Sequence, residues 1–322
     1  MNIEKNAAAT DRYLRSRLSG SPKNLYDAAA HLIVNGGKRL RPYMVVKSCQ
    51  ILGGSSARAM PAAAAVEMIH NFTLVHDDIM DNDEMRHGVL TVHKKFGPDA
   101  AILAGDVLFS KAFSVISASR LPAESVTRLV SRLAGACVDV CEGQQLDVDM
   151  GKSPKFPSQA QYVGMVAKKT AALFEVSCAM GAICATTRRA DITRLASFGY
   201  NLGIAFQITD DLMGAVGDPS VTKKPVGNDI REGKKSLPIL MAIRAARGRD
   251  KSIILESFGN PKATRSGLGR AVEVIRTLGI KDEVRRQARM YAKKAERSLH
   301  TYQNPAKKDL ASLLDFVVER DV

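Results

Sequence analysis

Five carboxylates crowd into eight residues, Asp77, Asp78, Asp81, Asp83 and Glu84, at the end of an apolar, alanine-rich run. Asp77 and Asp81 are four apart, so on a helix they share one face about a turn from each other. Like charges at that spacing destabilise a bare helix and call for compensation. Mg²⁺ compensates simply, because it takes one or two carboxylates and leaves positions for water or phosphate. An acidic helix end can also be merely solvated, but this one sits in a chain of net charge +14. A second pair, Asp210-Asp211, again ends an apolar run (Leu202 to Ile208), with Gln207 three residues before it. Beyond it come Lys223-Lys224, Arg231 and Lys234-Lys235, separated by Pro225, Gly227 and Gly233. Two carboxylate sites, each followed by a basic loop, suit a ligand that carries its own negative charge. A metal would then be held between protein carboxylates and ligand phosphates.

Three further stretches could serve such an anion. Gly36-Gly37 followed by Lys38, Arg39, Arg41 and Pro42 makes a turn whose backbone and side chains can approach a ligand closely, or else a helix cap with ordinary surface cations. His70 precedes Asp77 by seven residues and returns to roughly the same helix face two turns away. A lone histidine there is more often structural, as we read His76 and His93. Lys168-Lys169-Thr170 interrupts an apolar helical run. Glu142, Gln145 and Asp149 share a polar face that could line a cavity or simply be wet.

With these residues in view, the chain resembles the trans-type polyprenyl diphosphate synthases over nearly its whole length, and in motif pattern the archaeal-type geranylgeranyl diphosphate synthases. The resemblance rests on six motifs in order. They are Gly36-Gly37-Lys38-Arg39-Leu40-Arg41-Pro42, Asp77-Asp78-Ile79-Met80-Asp81 with Arg86, Ala104-Gly105-Asp106, Glu142-Gly143-Gln144, Lys169-Thr170, and Phe206-Gln207-Ile208-Thr209-Asp210-Asp211. It implies an isoprenoid synthase type I fold, a single large helical bundle around a central apolar cavity, and a prenyltransferase condensing isopentenyl diphosphate with an allylic diphosphate.

The same resemblance implies roles. Asp77, Asp81 and Asp210 would hold Mg²⁺, with Asp78 and Asp211 completing the catalytic carboxylates. Lys169, Thr170, Gln207, Lys224, Lys234 and Arg86 would bind or neutralise the allylic diphosphate. Lys38, Arg41 and His70 would hold isopentenyl diphosphate, and His87 stands where the family carries the second arginine of a pair. Imidazole offers one donor in its neutral form where guanidinium offers five and a permanent charge. Gly214 replaces the last aspartate of the second motif, Lys223 a glycine, and Leu90 a proline.

The elements that must position these residues read as helices throughout. Apolar residues recur at three and four, alanine is abundant, and no stretch alternates like a strand. Helices are expected near Ile3–Leu18, Lys23–Val34, Pro61–Asp81, Ala100–Ser119, Pro122 to about Met150, Gln159–Thr186 and Arg194–Val216, with amphipathic helices beyond Leu237. No linker divides the chain, so one domain over 1–322 is expected. Apolar content of 45% supports a sizeable core, and Lys+Arg 47 against Asp+Glu 33 points to acidic partners. Aromatics of 5% with no interleaved basic run argue against nucleic acid. Five cysteines without a CxxC pair read as reduced thiols, and no export signal is seen. The most apolar run, Ala171 to Thr187, carries Glu175 and is too short to span a bilayer. A cytoplasmic protein without a transmembrane segment is expected, and a homodimer by analogy.

Two other functions compete. A class I terpene cyclase also begins with an aspartate-rich metal site, but normally carries an Asn/Ser/Glu triad second, where this chain has Asp210-Asp211. A weakly active regulatory subunit of a heteromeric synthase is the non-enzyme reading, and His87 is the feature that encourages it. Product length should follow Phe72 and Thr73. Phe72 lies five residues before Asp77, about 7.5 Å along the axis, where a ring can floor a tunnel, whereas Thr73 leaves room. By resemblance this pairing implies geranylgeranyl diphosphate, with farnesyl or geranylfarnesyl diphosphate as alternatives.

Overall fold

The computed structural model describes residues 3–217 and 227–318. The chain is all-α apart from one short hairpin, and its contacts gather it into two compact units that interleave in sequence. One comprises Met1–Cys137, Leu173–Gly199 and Thr301–Leu310; the other comprises Val138–Ala172, Tyr200–His300 and Ala311–Val322.

The first unit contains α1 (Ile3–Arg15), α2 (Lys23–Asn35), α3 (Leu40–Gln50) and α4 (Ser56–Met80). Ser55 caps α4 by accepting a hydrogen bond from Arg58 N, and alanines carry the helix forward with little loss of side-chain entropy. Every residue from Ala62 to Ile69 is buried, because α4 is covered by α1, α3 and α6 (Pro98–Ser117). The helix therefore starts earlier than the expected Pro61 and runs into the acidic cluster, with Asp81 as its C-cap.

The expectation of no strand fails at one place. Met85–Arg86 (β1) pairs antiparallel with Val89–Leu90 (β2). His87 and Gly88 form its turn with φ of 52° and 79°, the two left-handed positions that tight hairpins require. Thr91–Gly97 carries the short α5 (Val92–Phe96), and Pro98 then opens α6, a position where its missing N–H costs nothing. By length and composition α6 is apolar enough to cross a membrane. Its Ala101, Ala104, Leu108, Ala112 and Ile116 are nevertheless buried, and it packs along α4 as a core helix does.

The long α7 (Ala123–Lys152) leads into the second unit. Ser158 and Gln161 form a reciprocal capping box at the start of α8 (Gln159–Val166). The single helix expected over Gln159–Thr186 is instead broken by a π-helical turn, Ala167–Ala171, before α9 (Ala172–Ala185). After α10 (Arg189–Val216) the second unit continues with α11 (Asn228–Arg231), α12 (Leu237–Ala245), α13 (Gly248–Ser257), α14 (Arg265–Thr277) and α15 (Ile280–Ser298), and α16 (Ala306–Val318) closes the described chain. Ile208, Leu212, Ile230, Leu237, Leu268 and Ile275 share its core. Of the expected site residues, Lys224 lies outside the described residues, as does Lys223.

Candidate active site

The first acidic motif sorts its carboxylates by burial. Asp77 is half-buried and Asp81 exposed, whereas Asp78 is completely buried. The guanidinium of Arg86 reaches back from β1 and places Nε 2.5 Å from Asp78 Oδ1, with Nη2 3.4 Å from Asp83. Burial pushes the Asp78 carboxyl up, and Arg86 opposes the shift. Asp77 and Asp81 stay together on the other side, one helical turn apart. Their carboxylate oxygens are hard donors of the kind Mg²⁺ takes. Among the described residues no three His, Cys, Asp or Glu side chains converge into a metal cage. An ion that completes its shell with ligand phosphate needs no such cage.

The second motif repeats this division. Asp210 is half-buried, while Asp211 is 2% exposed and accepts hydrogen bonds from Tyr162 Oη at 2.7 Å and Gln207 Nε2 at 2.8 Å. Lys234 Nζ lies 3.3 Å from Asp211 Oδ1 and 3.9 Å from Asp229 Oδ2. Asp211, more than any other neighbour, holds the Lys234 ammonium above its ordinary range, so it remains a cation. In each motif, then, the second aspartate is buried and orients a cation, Arg86 in one and Lys234 in the other.

Lys169 and Thr170 project from the π turn. Lys169 Nζ is 2.6 Å from Asp147, and Thr170 Oγ1 donates to Gln207 Oε1 at 2.8 Å. Asp147, Lys169, Thr170, Gln207, Asp211 and Lys234 line one cavity within this unit. The turn is brought there by Gly143, where a Cβ would sit 2.1 Å from Lys169 N. Wide turns of this kind concentrate at functional sites. Lys168 points elsewhere, to Asp139 at 2.9 Å and to Glu142. Gln145 bonds Asp149 at 2.8 Å on an exposed stretch, so that face is wet.

The basic turn belongs to the first unit. Gly37 (φ 107°) and Arg39 (φ 51°) both adopt left-handed conformations, which folds the chain sharply before α3. Arg39 is 5% exposed; it bonds Asp11 at 2.6 Å, Glu67 at 2.9 Å and the Ile33 carbonyl. That anchor leaves Lys38 exposed. Arg41 stacks on Phe174 at 4.7 Å, and its Nε has no hydrogen-bond partner. Burial lowers the Arg41 pKa to about 10, partly offset by Glu67.

His70 and His87 face these cations. Burial, then Arg41, Arg86, His87 and Arg39, hold His70 well below the usual imidazole range. Burial, then Arg86 and Arg39, lower His87 as well. The side chain of His87 rests against Gly36, where a Cβ would meet it at 2.9 Å. Leu90, in the family's proline position, offers its carbonyl to His31 Nε2 at 2.8 Å. Phe72 packs on His76 at 4.7 Å and on Phe109 at 5.3 Å, and Thr73 Oγ1 turns back to the His70 carbonyl. His76 itself nests over Gly105, where a Cβ would be 2.3 Å from its Nε2.

Asp147, Tyr162, Glu67 and Asp229 hold the expected site residues in place, and none was picked out in the sequence as a site residue; Arg39, read there as a cation of the basic turn, is instead a buried anchor paired with Asp11 and Glu67. A buried tyrosine or glutamate in a helical run looks like core. Only Asp147 offered a signal, as a carboxylate in the same stretch as Glu142 and Asp149.

Comparison with known proteins matches the "Polyprenyl synthetase" family model to residues 22–275. A geranylgeranyl pyrophosphate synthase of Geoglobus acetivorans is 40% identical over 301 residues, 93% of this chain and 92% of that one. A geranylfarnesyl diphosphate synthase of Aeropyrum pernix is 40% identical over 318 residues, 96% of this chain and 98% of that one. The crystal structure of a Corynebacterium glutamicum geranylgeranyl pyrophosphate synthase, complexed with isoprenyl diphosphate and magnesium, superposes with a TM-score of 0.88 at 28% identity, covering 99% of this chain and 100% of that one. The chain belongs to the polyprenyl synthetase family and is a prenyltransferase.

Proposed function

We propose that the protein condenses isopentenyl diphosphate with an allylic diphosphate and releases geranylgeranyl diphosphate, using Mg²⁺ held by Asp77, Asp81 and Asp210. The observation that carries this reading is the repeated division of labour. In both motifs the first aspartate is only half-buried, and the next is buried against a basic side chain suited to phosphate. Bound Mg²⁺ supplies electrostatic stabilisation of the diphosphate leaving group.

The chain's residues then do the following. Lys169, Thr170, Gln207 and Lys234, with Lys224 and Arg86, bind the allylic diphosphate and neutralise it as its C–O bond breaks with the electron pair leaving on oxygen. Lys38, Arg41 and His70, with His87, hold isopentenyl diphosphate, whose double bond attacks the allylic carbon to form the new C–C bond. The departing diphosphate takes the proton lost from the condensed cation, as the motifs themselves hold no evident general base among the described residues. Neutral His70 donates a hydrogen bond rather than a charge.

The geranylgeranyl and geranylfarnesyl synthases named above are each 40% identical to this chain, so product length rests on Phe72. Its ring sits against Phe109, which in turn packs on Phe113 at 5.1 Å, and this stack is a suitable floor for an apolar tail. We assign the chain one catalytic domain over 1–322, a homodimeric state and a cytoplasmic location. The five cysteines form no disulfide among the described residues.

The decisive variants are Asp77→Ala and Asp210→Ala. Each should abolish turnover while circular dichroism keeps its helical signal. Turnover within a few-fold of wild type in either would contradict the metal assignment.

A further inference from the structure

Two arginines follow the glycine turn, and they are held by opposite means. Arg39 gives its N–H groups to Asp11, Glu67 and the Ile33 carbonyl. Arg41, in the first turn of α3, forms no ion pair or side-chain hydrogen bond among the described residues, and its buried Nε is unpartnered. What supports it is a ring. Its guanidinium carbon lies 4.7 Å from the centre of Phe174, near the start of α9.

The difference matters to an anion. A carboxylate partner bonds a guanidinium in its plane and occupies N–H groups that a diphosphate would need. An aromatic face attracts the cation from above the plane and leaves all five donors pointing outward. Burial lowers the Arg41 pKa only to about 10, so the side chain stays charged at neutral pH.

Phe174 is well fixed as a support. It is 1% exposed. A Cβ on Gly199 of α10 would lie 2.8 Å from Phe174 C and against its carbonyl oxygen. A Cβ on Gly181, two turns along α9, would lie 3.0 Å from Val45 C and against that carbonyl oxygen. Both obstacles are backbone and cannot swing aside, so the two glycines let α9 lie directly on α10 and on α3. Val45 is one turn beyond Arg41 on α3, so the Gly181 contact sets where Arg41 stands over the ring. All of these residues belong to the first unit.

We propose that Phe174 is a positioning residue for isopentenyl diphosphate: its ring holds the Arg41 guanidinium by one face and turns the N–H groups toward the diphosphate, which rests on the assignment of Arg41 to that site. Phe174 touches no substrate itself and acts through Arg41.

Phe174→Leu keeps an apolar side chain and removes the aromatic face. It should raise the KM for isopentenyl diphosphate, and weaken its binding in calorimetry, by about five- to thirty-fold, the scale of a desolvated cation–π contact. The allylic KM should hardly move. In an Arg41→Gln background the same substitution should change the isopentenyl diphosphate KM by less than about twofold, because no cation is left to hold. Equal effects in both backgrounds would make Phe174 ordinary core packing and overturn the proposal. If Phe174→Leu does not fold, a phenylalanine carrying one to three ring fluorines at 174 serves instead. Fluorine keeps the shape and withdraws negative charge from the ring face, so the KM should climb with each one. A KM indifferent to fluorination overturns the proposal as well. Arg41→Gln separates the two levels. If it leaves the KM for isopentenyl diphosphate unchanged, the assignment of Arg41 fails; if it raises that KM while the Phe174 variants do not, only the role of Phe174 fails.

Discussion

His87 occupies a left-handed turn position, and its proton decides what it can offer an anion. Because burial, Arg86 and Arg39 lower its pKa below 6.5, the imidazole is neutral at pH 7 and becomes a cation only at lower pH. His87→Arg should therefore lower the KM for isopentenyl diphosphate at pH 7.5, by about fivefold for a contact worth roughly 1 kcal/mol. The advantage of arginine should shrink as pH falls through the lowered imidazole pKa, where the histidine takes up the same charge. A KM unchanged by the substitution, or a ratio indifferent to pH, would remove His87 from that site. Phe72 carries a second expectation. Phe72→Ala should lengthen the products, with Phe109 as the next barrier, and Thr73→Phe should shorten them toward farnesyl. Identical prenol distributions from both variants would move the tunnel floor elsewhere. At this scale the sequence was informative wherever a residue type is rare in its context, as with paired aspartates closing an apolar helix. It was silent about Glu67, Tyr162 and Asp229, whose importance comes from what lies across from them rather than from their neighbours in the chain.

Two elements bear most of the positioning, the π turn on Gly143 and the left-handed turn anchored by Arg39. Gly143→Ala would drive a methyl against the backbone of Lys169, an atom that cannot swing away, at a cost of about 1–3 kcal/mol. The denaturation midpoint should fall by a corresponding amount, and the allylic KM should rise because Lys169 and Thr170 move with their turn. A stable variant with a normal allylic KM would show that the close approach does not matter. Glu67 bonds Arg39 and offsets the burial of Arg41, so Glu67→Leu leaves the buried Arg41 without that carboxylate and Arg39 with Asp11 as its remaining ion pair, and breaking a buried pair costs about 3–5 kcal/mol. Chemical denaturation would measure it; a loss under 1 kcal/mol, on the scale of an exposed pair, would mean that solvent reaches the cluster. Helical periodicity was enough to find most of these elements to within a few residues. The π turn escaped because its cause is a glycine on another helix. The hairpin escaped because two-residue strands are too short to alternate.

For the molecule as a whole, a charge of +14 on a chain that handles diphosphates favours capture of anions, and added salt should weaken it. Ile102 and Leu103 on α6 are 46% and 54% exposed, and light scattering should find a dimer if that apolar surface is covered by a second copy. The central claim concerns what the chain makes. Purified protein, given isopentenyl diphosphate and dimethylallyl, geranyl or farnesyl diphosphate in turn, should produce prenols that after dephosphorylation run as geranylgeraniol. That product should need Mg²⁺ and disappear on chelation. No condensation by the chain alone, or a product of another length from every primer, would contradict the account.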